Sequence, residues 1–142
     1  MTVSLILTKK GRVVATAAPD VTLQEAAKTL AEKRIGALVI THSDGAIAGI
    51  LSERDVVRAV ASKGAAALND PASGHMTQKV VTTSEDKTII SVLEEMSARR
   101  FRHMPVTSGG RLIGILSIGD IVNHRLQEME AEQAALKDYI AG

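Results

Sequence analysis

The period of the apolar positions changes several times along the chain, and the same succession of changes occurs twice. Val13 to Thr16 reads as a short strand, which Pro19-Asp20 ends. Thr22, with Glu25 three residues on, is a capping-box signature that opens a helix to about Arg34. Leu23, Ala26, Ala27 and Leu30 give that helix one apolar face. Ala37 to Thr41, the turn residues Ser43-Asp44-Gly45 and Ala46 to Leu51 predict a β-hairpin, and a second helix follows from Ser52 to about Lys63. Further on, a strand is expected around Val80 to Thr83 and a helix from Thr88 to about Arg100. There Ile89, Val92, Leu93 and Met96 fill the places of Leu23, Ala26, Ala27 and Leu30. Strands at His103 to Thr107 and Arg111 to Leu116 join through Ser108-Gly109-Gly110, and a last helix begins near Ser117.

Individual residues repeat as well as patterns. Val14, Thr16, Asp20, Thr22, Arg34 and Thr41 return 66 positions later as Val80, Thr82, Asp86, Thr88, Arg100 and Thr107. After a loop one residue shorter, Gly49-Ile50-Leu51-Ser52-x-x-Asp55 returns as Gly114-Ile115-Leu116-Ser117-x-x-Asp120. Two such copies are too few and too long for a solenoid. They predict an α+β protein of two β-α-β-β-α repeats related by a pseudo-twofold axis and packed as one disc. The expected divisions are an N-terminal segment with the first repeat at 1–63, a linker at 64–76, the second repeat at 77–125 and a helical extension at 126–142. The linker is rich in Gly, Ala and Ser, and allows a short helix around Pro71 to His75. Each half should need the other to bury its sheet and helices.

Composition narrows the chemistry. The chain has 142 residues, 45% apolar and 23% charged, which suits one globular domain with a sizeable core. With no cysteine there is no disulfide, thiolate nucleophile or Cys-based metal site. A net charge of +1 gives no field that would gather nucleic acid, and Phe101 and Tyr139 are the only aromatics on which bases could stack. No apolar run approaches the roughly 20 residues of a membrane span. Met1 to Leu7 runs into Lys9, Lys10 and Arg12, with the charges on the wrong side for a leader, so a cytoplasmic protein is expected. Those three cations read as a solvated face. His42, His75 and His124 lack metal-ligand spacing, and no nucleophile–base pair or carboxylate dyad is visible. An enzyme is therefore not expected.

The duplicated Gly-Ile-Leu-Ser-x-x-Asp carries two meanings. A Ser at the N-cap with an acid at N3 satisfies the orphan amides of a helix and opposes its positive end. The same two side chains, one turn apart, can hold the hydroxyls of a ribose, while free amides at the helix start favour a phosphate. The motif resembles the hallmark Gly-h-h-Ser/Thr-x-x-Asp (h apolar) of the CBS domain, named for cystathionine β-synthase. Arg102-His103-Met104-Pro105-Val106 matches that family's basic pair followed by h-Pro-Val. The likeness covers about residues 12–125, and the chain looks like the small stand-alone tandem pairs of bacteria and plant organelles.

The resemblance implies a disc, often dimeric, with two clefts for adenosine ligands such as AMP, ADP, ATP, NAD or S-adenosylmethionine. By position, Ser117 and Asp120 would hold ribose in a second cleft, Thr82, Thr83, Ser84, Met104 and Pro105 would frame the base, and Arg102 and His103 would meet phosphate. In a first cleft Ser52 and Asp55 would hold ribose, with Thr16 to Ala18 and Leu38 around the base. Here Gly36 and Ala37 replace the basic pair and Val39 the proline, so Arg54 and Arg58 are the expected phosphate contacts. Arg99 and Arg100 read as helix-ending cations. The expected function is a regulatory sensor of adenine nucleotides, needing no cofactor and acting on an unidentified protein; the alternative is an interaction module with vestigial clefts. Finally, Val122, Leu126, Met129, Gln133, Leu136 and Ile140 follow at spacings of four, three, four, three and four. This heptad seam predicts a homodimer through the last helix, or else a helix lying across its own disc.

Overall fold

A computed structural model describes residues 1–142. The elements run α1 (Val3–Lys10), β1 (Thr16–Ala17), α2 (Leu23–Lys33), β2 (Ala37–Thr41), β3 (Ile47–Ser52), α3 (Glu53–Lys63), α4 (Ile89–Arg99), β4 (His103–Ser108), β5 (Arg111–Ser117) and α5 (Ile118–Ala141). Short 3₁₀ turns at Gly64–Asn69 and Ala72–Gly74 lie between α3 and the second repeat. The Thr22–Glu25 capping box forms as its spacing predicts. Arg34 and Arg100 then end α2 and α4 at equivalent points in the left-handed region, at φ 54° and 59°.

The first sheet has the order β1-β2-β3, parallel then antiparallel. In the second, β4 and β5 pair antiparallel, and the strand expected at 80–83 contracts to one parallel bridge, Thr83 to Val106. Thr83 N–H donates to Pro105 O at 3.0 Å, and Thr107 N–H to Thr83 O at 2.9 Å. The first strand likewise forms later than expected, at Thr16–Ala17, leaving Val13 exposed. Both hairpins break register at the same place, Ile40/Thr41 and Val106/Thr107. The tighter second hairpin turns on Gly109 and Gly110, both at positive φ, which suits a two-residue loop.

Two apolar cores result, and each is finished by a segment from elsewhere in the chain. The first gathers Leu23, Ala26, Leu30, Leu38, Ile40, Leu51 and Ala59 with Ala67 and Ala72 from the stretch expected to be a linker. The second gathers Ile89, Val92, Met96, Met104, Val106, Leu116 and Ile121 with Val3, Ile6 and Leu7 from α1, a helix the sequence reading did not contain. The segment preceding each repeat therefore covers the other one. The backbone joins match: Leu23 N–H bonds Asp70 O and Ala72 N–H bonds Val21 O, while Ile89 N–H bonds Met1 O and Val3 N–H bonds Lys87 O, at 2.7–3.0 Å. Lys63 donates to Asp70 Oδ2 at 2.7 Å, and His75 Nε2 lies 2.7 Å from the same oxygen, which together hold the Asp70 carboxyl below its ordinary value.

The crossing explains the glycine of the repeated motif. A Cβ on Gly49 would stand 2.7 Å from Thr77 O and 2.6 Å from Met76 Sδ; on Gly114 it would stand 2.7 Å from Leu7 Cδ2. Leu7, fully buried, should cost about 2–5 kcal/mol when replaced by Ala. Gly114→Ala should cost about 1–3 kcal/mol by overpacking, and most of that cost should vanish in the Leu7→Ala background. Gly49→Ala should find no such relief from Met76→Ala, because the Thr77 carbonyl that blocks it is bonded to Ile50 N–H at 3.0 Å. Urea unfolding of the single and double variants measures both couplings; additive losses at Gly114 and Leu7 would contradict the packing described.

Candidate functional site

Each hairpin delivers its last residue straight into a helix, so Ser52 and Ser117 are at once strand ends and N-caps. In the first repeat Ser52 N–H donates to Asp55 Oδ2 at 2.9 Å, and Asp55 N–H donates to Ser52 Oγ at 3.2 Å. In the second the same bonds, Ser117 N–H to Asp120 Oδ2 and Asp120 N–H to Ser117 Oγ, measure 2.8 and 3.1 Å. The structural role of the motif is thus realised twice. The carboxylates differ in what else they hold. Lys10, from the end of α1, donates to Asp120 Oδ2 at 2.6 Å and to Ile115 O at 2.7 Å. Asp55 has no cationic partner within salt-bridge distance; its Oδ2 accepts from Ser52 Oγ at 3.1 Å.

Asp55 faces a cleft of about 720 Å³ whose walls come from both repeats. One wall is Gly36, Ile50 and the start of α3, Ser52 to Asp55 with Arg58; the other is Thr77, Lys79 to Val81 and Arg99 to His103. Arg54, Arg58, Lys79, Arg99, Arg100 and Arg102 face two acids, Glu53 and Asp55, so the cleft is strongly cationic. Apolar surface is limited to Ile50, Val80, Val81 and Phe101. At the meeting of the walls His103 packs on the backbone of Gly36, where an added Cβ would come within 2.9 Å of its Nε2. This gives the departure of the first repeat a physical cause: a side chain at 36 would displace the imidazole. Burial, then Lys10, pushes the His103 pKa below 6.5; Glu53 and Asp120 pull it upward and Arg102 downward, and the net shift is down.

The cleft groups the expected site residues differently from their order in the sequence. Ser52, Arg54, Asp55 and Arg58 do come together, but with Arg102 and His103 of the other repeat. The basic pair thus lines a cleft with the start of α3, while His103 also pairs with Ser117 across the β4–β5 ladder and Arg102 O accepts from Ile118 N–H at 2.9 Å. Thr82, Thr83 and Ser84 line a different, shallow depression with Lys87, Ser91, Glu95 and Thr107, and no hydrophobic residue lines it. Leu38 and Met104 are fully buried in the two cores, and Pro105 is buried beside Met104, so none offers a side chain to a base. Thr16 and Ala18 are exposed at and just beyond β1, away from the large cleft. Lys10 and Arg12 also depart from a solvated face, since Lys10 engages Asp120 and Arg12 pairs with Glu85. Lys79, Val80 and Val81, just before the segment singled out, and Phe101 are cleft residues that sequence reasoning passed over, and Arg99 and Arg100, read as helix-ending cations, line the cleft as well. The stretch's offset to Val14 carried the only hint.

The depressed His103 pKa sets a sign for stability. The unfolded chain takes up a proton near pH 6.5 and the folded chain resists it. This contribution is intact above 6.5, declines as the pH falls toward the folded-state value, and then levels off. Denaturation midpoints measured from about pH 7 to 5 should fall less steeply for His103→Gln than for the natural chain. An unchanged slope would show that the imidazole titrates freely.

The comparisons agree with this architecture. The family model for the CBS domain matches residues 8–62 and 72–127. A solved CBS-domain protein from Agrobacterium tumefaciens, ATU1752, superimposes with a TM-score of 0.86 at 48% identity, over 87% of this chain and 92% of that one. The CBS domain protein PAE2072 from Pyrobaculum aerophilum, complexed with AMP, gives 0.76 at 30% identity over 84% and 89%. The CBS domain pair of MJ0100, in complex with 5′-methylthioadenosine and S-adenosyl-L-methionine, gives 0.81 at 27% identity over 90% and 98%. Among curated relatives, the chain spans 70% of one from Acidianus ambivalens and 62% of a mitochondrial one from Arabidopsis thaliana. Two repeats in one fold, joined at a cleft that neither could build alone, make this chain a tandem member of the CBS-domain family.

Proposed function

We propose that the protein is a regulatory module that binds an adenine nucleotide in the cleft between its repeats. The observation that carries this reading is a carboxylate without a salt-bridge partner, Asp55, in a cleft lined by six cationic side chains. Asp55 and Ser52 suit two ribose hydroxyls, Val80, Val81 and Ile50 offer apolar contact to a base, and Arg102, Arg54 and Arg58 suit phosphates. Relatives whose structures hold AMP, methylthioadenosine or S-adenosylmethionine support an adenosine ligand in general. The cationic lining favours AMP, ADP, ATP or the pyrophosphate of NAD over a neutral thioether or a sulfonium cation. A ligand held from both repeats at once stabilises one arrangement of the two, and an unidentified protein would read that arrangement. The activity proposed is binding, not catalysis.

Calorimetry with ATP, AMP and adenosine tests this. Affinity should follow phosphate number, and added salt should narrow the differences. Arg102→Ala should weaken ATP and AMP more than adenosine. Asp55→Ala should lose about tenfold to a hundredfold in affinity for all three, as expected for a charge-assisted bond to the sugar. Asp120→Ala should leave affinity in this cleft nearly unchanged while lowering the melting temperature, because that carboxylate is committed to its cap and to Lys10. Loss of affinity at Asp120 and not at Asp55 would overturn the assignment. Absence of binding by any of the three at millimolar concentration would leave an interaction module.

A further inference from the structure

The last helix continues far past the disc. α5 has 24 residues, about 36 Å of helix, and every residue from 129 onward is exposed. Val122, Leu126, Met129, Leu136 and Ile140 are between 44% and 75% exposed, so the seam does not lie across its own disc. If Leu126 is heptad position a and Val122 and Met129 are d, the residues that face the disc, Ile121, His124 and Glu128, fall at c and f. The helix therefore uses opposite faces for the disc and for the seam, and a second helix can occupy the seam without dislodging the first contact.

We propose that this seam pairs with the same helix of a second copy, parallel and in register, as a short two-stranded coil. The charges beside the seam choose both the occupant and the direction. Arg125 and Glu132 stand at g, and Glu130 and Lys137 at e. In a parallel in-register pair each g residue meets the partner's e residue five positions on, which sets Arg125 against Glu130 and Glu132 against Lys137. Both contacts are attractive, and each occurs twice. An antiparallel pair overlapping over the same length would set Glu130 against Glu130 and Glu132 against Glu132. Gln133, at a, meets its own counterpart only in the parallel register, where two side-chain amides can bond to each other. In the single chain Arg125 lies 3.9 Å from Glu128 and 3.7 Å from Glu132, exposed and loose contacts that it can exchange for Glu130 of a partner.

Sedimentation equilibrium of the full chain should show a reversible dimer at tens of micromolar. Arg125→Glu and Glu130→Arg should each weaken self-association about tenfold, since each turns two attractive contacts into repulsive ones. An equimolar mixture of the two variants should recover natural affinity, because in the mixed pair both contacts are attractive again. With no cysteine in the natural chain, Gln133→Cys should form an interchain disulfide in a glutathione buffer. Circular dichroism melting of each variant verifies that the discs remain folded. A natural chain that stays monomeric at several hundred micromolar would overturn the proposal. So would a mixture that associates no better than its components, or cross-linking that requires Met129→Cys on one chain and Gln133→Cys on the other.

Discussion

The structure depends on an exchange of covers. Each repeat leaves one side of its hairpin and helices bare, and the segment that closes that side precedes the other repeat in the chain. Val3, Ile6 and Leu7 complete the second core, while Ala67, Ala72 and Met76 complete the first. Apolar burial of this kind is non-directional, but the flanking backbone bonds fix it: Asp70 and Val21 bracket one cover and Met1 and Lys87 the other. Neither repeat can leave without exposing the core of its neighbour. The glycines at 49 and 114 follow from the same constraint, since they are where the exchanged segments cross the sheets.

Holding the repeats in this way brings the start of α3 opposite the strand entry of β4. The two halves are not equivalent there, and the asymmetry is built from single residues. His103 occupies the space next to Gly36, so the first repeat has no room for a side chain at 36, where the second carries Arg102. Lys10 neutralises Asp120, whereas Asp55 keeps its charge available inside a cationic cleft. The proposed nucleotide site is the side of the pseudo-twofold where the basic pair meets a carboxylate bonded only to its own helix cap. A ligand there would touch both repeats, which gives occupancy a direct mechanical consequence.

Much of the fold was legible because the elements carry local signals. Thr22, Thr88, Ser52 and Ser117 mark four helix starts through their caps, and the hairpins show in the β-branched runs around their turn residues. α1 was not, although Val3, Ile6 and Leu7 stand at helical spacing: eight residues are too few to separate a helix from a strand by period. The residue types of the site were legible and their grouping was not. A repeat read along the sequence groups Arg102 with Asp120, while the stacking of the sheets also sets it in one cleft with Asp55. Leu38 and Met104 are fully buried, and alternation along a strand tells that a side chain is buried but not which side faces a ligand. The engagement of Asp120 by Lys10 joins residues 110 positions apart and leaves no trace in any local pattern.

The proposed ligand cleft is shared across the repeats. Amide chemical shifts followed during titration with ATP test it most directly. Shifts concentrated at Ser52 to Arg58 together with Lys79 to Val81 and Arg99 to His103 are the result this account predicts. Shifts concentrated at Ser117 to Asp120 together with Thr82 to Ser84, with α3 undisturbed, would contradict it.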